Sequence, residues 1–280
     1  MEINVISNHW SNTSGSYDSE VVKIHRNRTD FDGINIITEP HIWNINLLNQ
    51  LRGKKIGWLC ESKEVFSYST SKIHNSGILD KLDYILTHDK SLIEWKPEKF
   101  LYTIPATNRR QVPPEEVKIH PKTKDISFCF SNKQMTSGHR LRHQMKRLIQ
   151  ENNLPIEMHG SGVGKPYNGD SMHAYRDYRY SIIIENSTYD YYWSEKPQEC
   201  FWTGTIPIYI GTDSLYDVYN KDGVIKINSV DEILDLLPTL NEETYVSKMD
   251  YIKDNFERSL EYRVCAEEFF TVKYWEKWNE

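Results

Sequence analysis

Three segments of the chain hold polar side chains at spacings that could do chemistry. In the densest, the apolar run Tyr180-Ser181-Ile182-Ile183-Ile184 delivers Glu185 and Asn186 to a loop, which continues through Tyr192-Trp193-Ser194 to Glu195-Lys196. A helix start there exposes unpaired N–H groups and a partial positive charge, which attract phosphate. Lys196 in the first turn carries the wrong charge for the helix dipole. It would suit an anionic ligand, or a plain surface pairing with Glu195 or Glu199. In the second segment, Phe130-Ser131-Asn132 is followed by Ser137-Gly138-His139-Arg140 and then Arg142. Either arginine offers a planar fork for phosphate oxygens, and a solvated basic helix face is the alternative. The third segment is Cys60-Glu61-Ser62, where Glu61 could accept a proton, with Glu64 competing nearby. His139 and His143 stand at i, i+4 and could share a metal ion, but no glutamate lies between them as on a zinc-protease helix.

Regular elements must position these groups. Ile3–Ser7, Ile34–Thr38, Lys55–Cys60 and Asp83–Thr87 read as short buried strands, and Ile42–Leu51 as a helix ended by Gly53. Pro105, Pro113, Pro114 and Pro121 punctuate a stretch without hydrophobic periodicity, which reads as a linker up to Lys124. A second set follows: strands at 126–131, 180–185, 205–210 and 224–227, and helices at 138–151 and 195–203. Ser194 is the expected N-cap and Gly204 the expected stop of the latter helix. Ser229-Val230-Asp231-Glu232 reads as a capping box, and the tail from Glu242 to Trp278 as mostly helical. The expectation is an α/β protein of two Rossmann-like lobes facing a cleft, residues 1–114 and 115–280, with a C-terminal helical tail on the second. Ligands of such sheets bind beyond the carboxyl ends of the strands.

The segment ending in Asn186, with Tyr192, Glu195 and Lys196 and then Gly204, Pro207 and Gly211, resembles the family-10 glycosyltransferases, the α-1,3/1,4-fucosyltransferases. Their donor-site signature runs from Phe-Glu-Asn through Tyr-x-Thr-Glu-Lys to Gly-Thr-x-Pro-x-x-x-Gly, and the match is dense over about 35 residues, with Pro197 a departure where an aliphatic residue is usual. The resemblance implies a GT-B fold and inverting transfer of fucose from GDP-fucose to a glycan hydroxyl. It implies that Lys196 contacts the donor phosphates while Asn186, Tyr192 and Glu195 hold the ribose and its surroundings. It makes Arg140 the diphosphate clamp, or Arg142 if the register is displaced. It makes Glu61, some twenty residues before Asp83-Tyr84, the general base. No Asp-x-Asp strand end of the metal-dependent transferases is present, so no metal cofactor is expected. Another donor sugar and a non-catalytic nucleotide-sugar binder are the competing readings.

Composition narrows the rest. A formal net charge of −6, without a dominant basic run, disfavours nucleic acid as a partner. The four cysteines lie far apart with no CxxC pair, which suits a reducing compartment. No apolar run reaches the ~18 residues of a membrane span, and Met1-Glu2-Ile3-Asn4 does not read as a signal peptide. The expectation is a cytoplasmic protein whose partners are a nucleotide-sugar donor and a glycan acceptor, with peripheral membrane association and oligomeric state left open.

Overall fold

The structure, a computed structural model, describes residues 1–8, 19, 21–104, 107, 112–165 and 171–280. The chain divides into two compact units, Met1–Pro105 with Val264–Glu280, and Ala106–Arg263. In the first unit β1 (Glu2–Ile6), β2 (Lys23–Arg26), β3 (Ile34–Thr38), β4 (Lys54–Leu59), β5 (Tyr84–Thr87) and β6 (Phe100–Tyr102) form a sheet in the order β2-β1-β3-β4-β5-β6. Every pairing is parallel. A parallel sheet covered on both faces needs near-continuous apolar strands, and all five residues of β3 are buried. Helices α1 (Ile45–Gln50), α2 (Thr70–Asn75) and α3 (Lys90–Trp95) begin at Asn44, Ser69 and Asp89, whose side chains accept the backbone N–H of Leu47, Lys72 and Ser91.

The second unit repeats the plan. Strands β7 (Lys124–Cys129), β8 (Glu157–His159), β9 (Tyr178–Ile184), β10 (Ile206–Ile210) and β11 (Ile225–Lys226) lie parallel in the order β11-β10-β9-β7-β8. Helices α4 (Ser137–Glu151) and α5 (Glu195–Thr203) follow β7 and β9, and α6 (Glu232–Leu236), α7 (Glu242–Ser247) and α8 (Met249–Ser259) follow the sheet. The core joins Phe128, Tyr180, Ile182, Ile184, Ile206 and Ile208 to Met145 and Ile149 of α4. Each such side chain contributes about 1.5–3 kcal/mol relative to exposure. The chain runs from β7 to β8 on one side, then returns to β9 on the other. The topological switch point therefore lies at the carboxyl ends of β7 and β9, where such sheets take their ligands.

Several expectations need correction. The last helix, α9 (Ala266–Asn279), belongs to the first unit and not to the second: Ala266, Phe270 and Trp278 are buried with Ile3, Val5, Ile36 and Trp58. The division falls at residue 105/106 instead of near 115, because Val112 packs with Met172 and Trp202. Lys122 Nζ likewise donates to Arg176 O, Thr203 O and Thr205 Oγ1 of the second unit. Of the linker, residues 105, 106 and 108–111 lie outside the described residues. The helix expected over 42–51 is a 3-10 turn, His41–Trp43, and then α1, separated by the cap at Asn44. At Ser229–Glu232 only half a capping box forms: Glu232 Oε1 accepts Ser229 N–H at 3.1 Å, and α6 starts at Glu232 itself. No helix among the described residues is long and apolar enough to cross a membrane.

Candidate functional site

The first turn of α4 is fastened directly to the end of β9. Gly138 N–H donates to Asn186 O at 3.0 Å, and a Cβ on Gly138 would stand 1.7 Å from the Glu185 carbonyl oxygen. Only glycine permits this approach. One turn later Arg142, 5% exposed, reaches the same strand end. Its Nε donates to Ile184 O at 2.8 Å and its Nη2 to Asn186 Oδ1 at 2.9 Å. Asn186 Nδ2 in turn donates to the Tyr192 hydroxyl at 3.2 Å. Tyr192 is buried beside Tyr189, ring centroids 5.3 Å apart. Tyr191 before it holds a left-handed φ of +63°, with its N–H on Ser214 Oγ at 2.8 Å. A bulky residue in that region costs on the order of 1–3 kcal/mol, and such strain gathers at ligand clamps and active sites.

Helix α5 starts where expected, with Ser194 as N-cap and Gly204, at φ +73°, closing its last turn. Glu185 is buried beneath this start. Its Oε1 accepts Ser194 N–H at 2.9 Å, while Oε2 has no hydrogen-bond partner among the described residues. Burial pushes this carboxyl up, and the Lys196 charge and the Ser194 bonds oppose the shift. Lys196 Nζ lies 3.1 Å from Ser194 Oγ and 3.3 Å from Glu195 Oε1. The pairing of Lys196 with Glu195 that the sequence left open is thus present. Pro197 occupies the first turn, where its missing N–H costs nothing. Arg142 and Lys196 thereby meet two carboxylates, Glu185 and Glu195, with Asn186 and Tyr192 between them. The arrangement can hold an anion with polar hydroxyls attached, because an incoming phosphate can exchange for Glu195 at Lys196.

Asn186, Tyr192, Glu195 and Lys196 are therefore brought together, and Arg140 is not. Arg140 is exposed on α4, two residues and some 200° of helix rotation from Arg142. Glu185, which the sequence places beside Asn186 at the end of an apolar strand, receives no role from the sequence alone, although that position is a signal. The histidine pair is engaged locally. His139 forms a capping box with Thr136: its N–H donates to Thr136 Oγ1 at 3.2 Å, and its Nδ1 accepts Thr136 N–H at 3.3 Å. Burial, then the Arg142 charge, pulls its pKa down to about 4. The His143 ring lies edge-on to Phe130 at 4.8 Å. Among the described residues no three His, Cys, Asp or Glu side chains are grouped to hold a metal ion.

In the first unit, Glu61 follows the end of β4 and is half-buried, and Glu64 is exposed. Sequence reasoning missed the residue behind it. Glu39, at the end of neighbouring β3, is 2% exposed, and its Oε2 accepts the N–H groups of Cys60 at 3.0 Å and Glu61 at 3.2 Å. Burial pushes the Glu39 carboxyl up to about 7, with the Glu61 charge adding to the shift and the amides and the Cys60 thiol opposing it. Lys63 is 2.5 Å from Asp89, the N-cap of α3.

An α1,3-fucosyltransferase solved with GDP is 14% identical, covers 97% of this chain and 89% of its own, and has a TM-score of 0.59. Anabaena HepE in complex with UDP and glucose is 8% identical, covers 99% of both chains, and has a TM-score of 0.63. A T4 phage BGT mutant in complex with UDP-glucose is 12% identical, covers 97% of this chain and 99% of its own, and has a TM-score of 0.56. Identities this low speak for the fold alone, which is the α/β GT-B type. No curated protein matches. Residues 119–275 match the profile of glycosyltransferase family 10 (fucosyltransferase), C-terminal part. That span is more than half of the chain and contains the whole network from Gly138 to Lys196; the protein belongs to glycosyltransferase family 10.

Proposed function

We propose that the protein is an inverting glycosyltransferase that moves fucose from GDP-fucose to a hydroxyl of a glycan acceptor, without a metal cofactor. The observation that carries this reading is the convergence of Arg142, Asn186, Tyr192 and Lys196 around buried Glu185 at the switch point of the second sheet. Lys196 and Arg142 hold the diphosphate, and Glu195, Tyr192 and Asn186 hold the ribose and its surroundings. The family resemblance first favours Arg140 as clamp, but burial at the strand end favours Arg142. Glu61 takes the proton from the acceptor oxygen as that oxygen bonds to the anomeric carbon. The bond from that carbon to the phosphate oxygen breaks, and GDP leaves with its charge held by the two cations and by helix N–H groups. Fixed donors placed where charge develops are the largest usual source of catalysis.

Neighbours described with UDP and glucose or with UDP-glucose make a UDP-sugar the second reading, since a shared fold does not select the sugar. A thermal-shift panel of GDP, UDP, GDP-fucose, GDP-mannose, UDP-glucose and UDP-galactose separates the two, because ligands of the native state raise its stability by mass action. The expected result is stabilisation by GDP and GDP-fucose, unchanged by EDTA. Stabilisation by UDP-sugars alone, or its loss with EDTA, overturns the donor reading or the metal-independent one. Binding without any transfer would leave a nucleotide-sugar binder.

A further inference from the structure

The buried carboxyl of Glu39 has no structural duty that requires a carboxyl. Its Oε2 accepts three donors, the amides of Cys60 and Glu61 and the Cys60 thiol, the last at 3.3 Å. Its Oε1 is buried and has no hydrogen-bond partner among the described residues. None of the three donors is a cation, and an uncompensated carboxyl removed from water is costly. What the two amides use is an acceptor carried on a side chain of glutamate length, which asparagine and serine lack, so the length of this side chain calls for an explanation in function.

Position supplies one. The ladder between β3 and β4 ends at the pair Thr38 and Trp58, and Cys60 and Glu61 continue beyond it. Glu39 replaces the missing strand partner for both amides, just where the chain turns out of the sheet. On the other side of Glu61, Ser62 O accepts the N–H groups of Val65 at 2.8 Å and Phe66 at 3.1 Å, closing a tight turn. The Glu61 peptide is thus fixed from both directions while its side chain remains half-exposed. Glu39 itself is too deeply buried to touch an acceptor sugar.

We propose that Glu39 is a positioning residue for Glu61, holding the peptide from which the general base projects. The proposal rests on the reading of Glu61 as that base. A misplacement of about 1 Å can cost on the order of 10²-fold in rate, which sets the scale of the effect.

The test measures GDP release from GDP-fucose with the best acceptor in a panel of free disaccharides, or with water if none exceeds it. Wild type, Glu61→Gln, Glu39→Ala, Glu39→Asp, Glu39→Gln and the Glu39→Ala/Glu61→Gln double variant are compared, with GDP affinity by calorimetry. Glu39→Ala is expected to lower kcat about 10–10²-fold with GDP affinity within about twofold. The double variant should be no slower than Glu61→Gln alone, because both changes remove one function. Glu39→Gln, whose amide oxygen can still accept both N–H groups, should recover most of the rate. If Glu39→Ala does not fold, Glu39→Asp serves, since its shorter chain cannot reach both amides and its loss should likewise vanish on the Glu61→Gln background. Multiplying losses, or equal losses in the Ala and Gln variants, overturn the positioning role and leave the base reading intact. Unchanged turnover in Glu61→Gln overturns the base reading, and the inference with it.

Discussion

The strand ends of the two units solve different problems with the same kind of sheet. Beyond β9, two cations and two carboxylates are interleaved with Asn186 and Tyr192, and nearly every polar atom has a partner. Beyond β3 and β4, two carboxylates lie close together with only amides and a thiol on Glu39. A diphosphate carries fixed charge throughout a reaction, so its site must contain cations held in place before it arrives. A proton acceptor needs only one carboxylate with the right freedom and surroundings. The first arrangement requires many residues in register, and the second almost none.

The comparison is broken most sharply at Glu61. Glu61→Gln keeps size and polarity but cannot take up a proton at neutral pH, so turnover is expected to fall by ~10²–10⁴. GDP affinity should stay within about twofold, because the proposed donor site is built from the other unit. Glu64→Gln should be far milder. Steady-state kinetics with calorimetry on the same preparations checks this, and normal turnover in Glu61→Gln would remove it as the base.

The next effect concerns the cations. Lys196→Ala and Arg142→Ala should each weaken GDP binding about tenfold to a hundredfold, the worth of one charge-assisted hydrogen bond of roughly 1.5–3 kcal/mol. They should differ in stability. Arg142→Ala leaves Ile184 O and Asn186 Oδ1 without a donor and Glu185 buried with less compensation, so its melting temperature should fall. Lys196 is partly exposed, and among the described residues it bonds to Ser194 and Glu195 and lends its charge to buried Glu185, so its removal should cost less than that of Arg142. Equal melting temperatures in the two variants would mean that Arg142 is not the clasp of β9.

How much of this was legible in sequence follows the same division. Helix α5, its Ser194 cap and its Gly204 stop were read correctly because capping chemistry is local and needs no tertiary information. Strands β2, β6 and β8 were not, since three- and four-residue runs such as Phe100-Leu101-Tyr102 are too short for a period to show. The sequence shows α9 as a helix but not the unit it joins, because an apolar face does not name its partner. The choice between Arg140 and Arg142 turned on which face of α4 meets β9. That face is set by Gly138 packed on Glu185 O, a contact between residues 47 positions apart. Glu39 gave no signal at all, as a lone glutamate after a strand reads as a surface residue until its neighbour strand is placed.

A smaller effect distinguishes the first unit by pH. The Glu39 carboxyl sits near 7 in the folded protein against an ordinary value of 4.5, mainly through burial. Below the unfolded value both states hold the proton and folding is unaffected. As pH rises toward 7 the unfolded chain releases its proton first, so stability falls through this window and levels off above it. Glu39→Gln cannot ionise. The melting temperature of wild type minus that of Glu39→Gln should therefore decrease between pH 4.5 and 7 and be flat above. A difference independent of pH would place the folded Glu39 near its ordinary value.

The smallest expected effect is the one that decides between the two arginines of α4. Arg140 and Arg142 have the same chemistry and nearly the same place in sequence, so replacing each by alanine removes the same group from opposite faces of one helix. Arg140 is exposed, and no hydrogen bond ties its side chain to β9, Asn186 or Tyr192 among the described residues. A solvated arginine interacts weakly with a site one helix diameter away, because water and salt screen it. Arg140→Ala should thus change GDP affinity by no more than about twofold and leave the melting temperature unchanged. The residual effect should shrink further as ionic strength rises from 0.05 to ~0.3 M, over which the Debye length falls below about 10 Å. The loss in Arg142→Ala should persist over the same range, as expected of a buried contact. If instead Arg140→Ala loses tenfold or more and Arg142→Ala only unfolds, the clamp is on the solvent face of α4. The buried arginine would then be a structural bolt holding β9, and the phosphate site would lie one helix face away from the network that joins Asn186 to Tyr192.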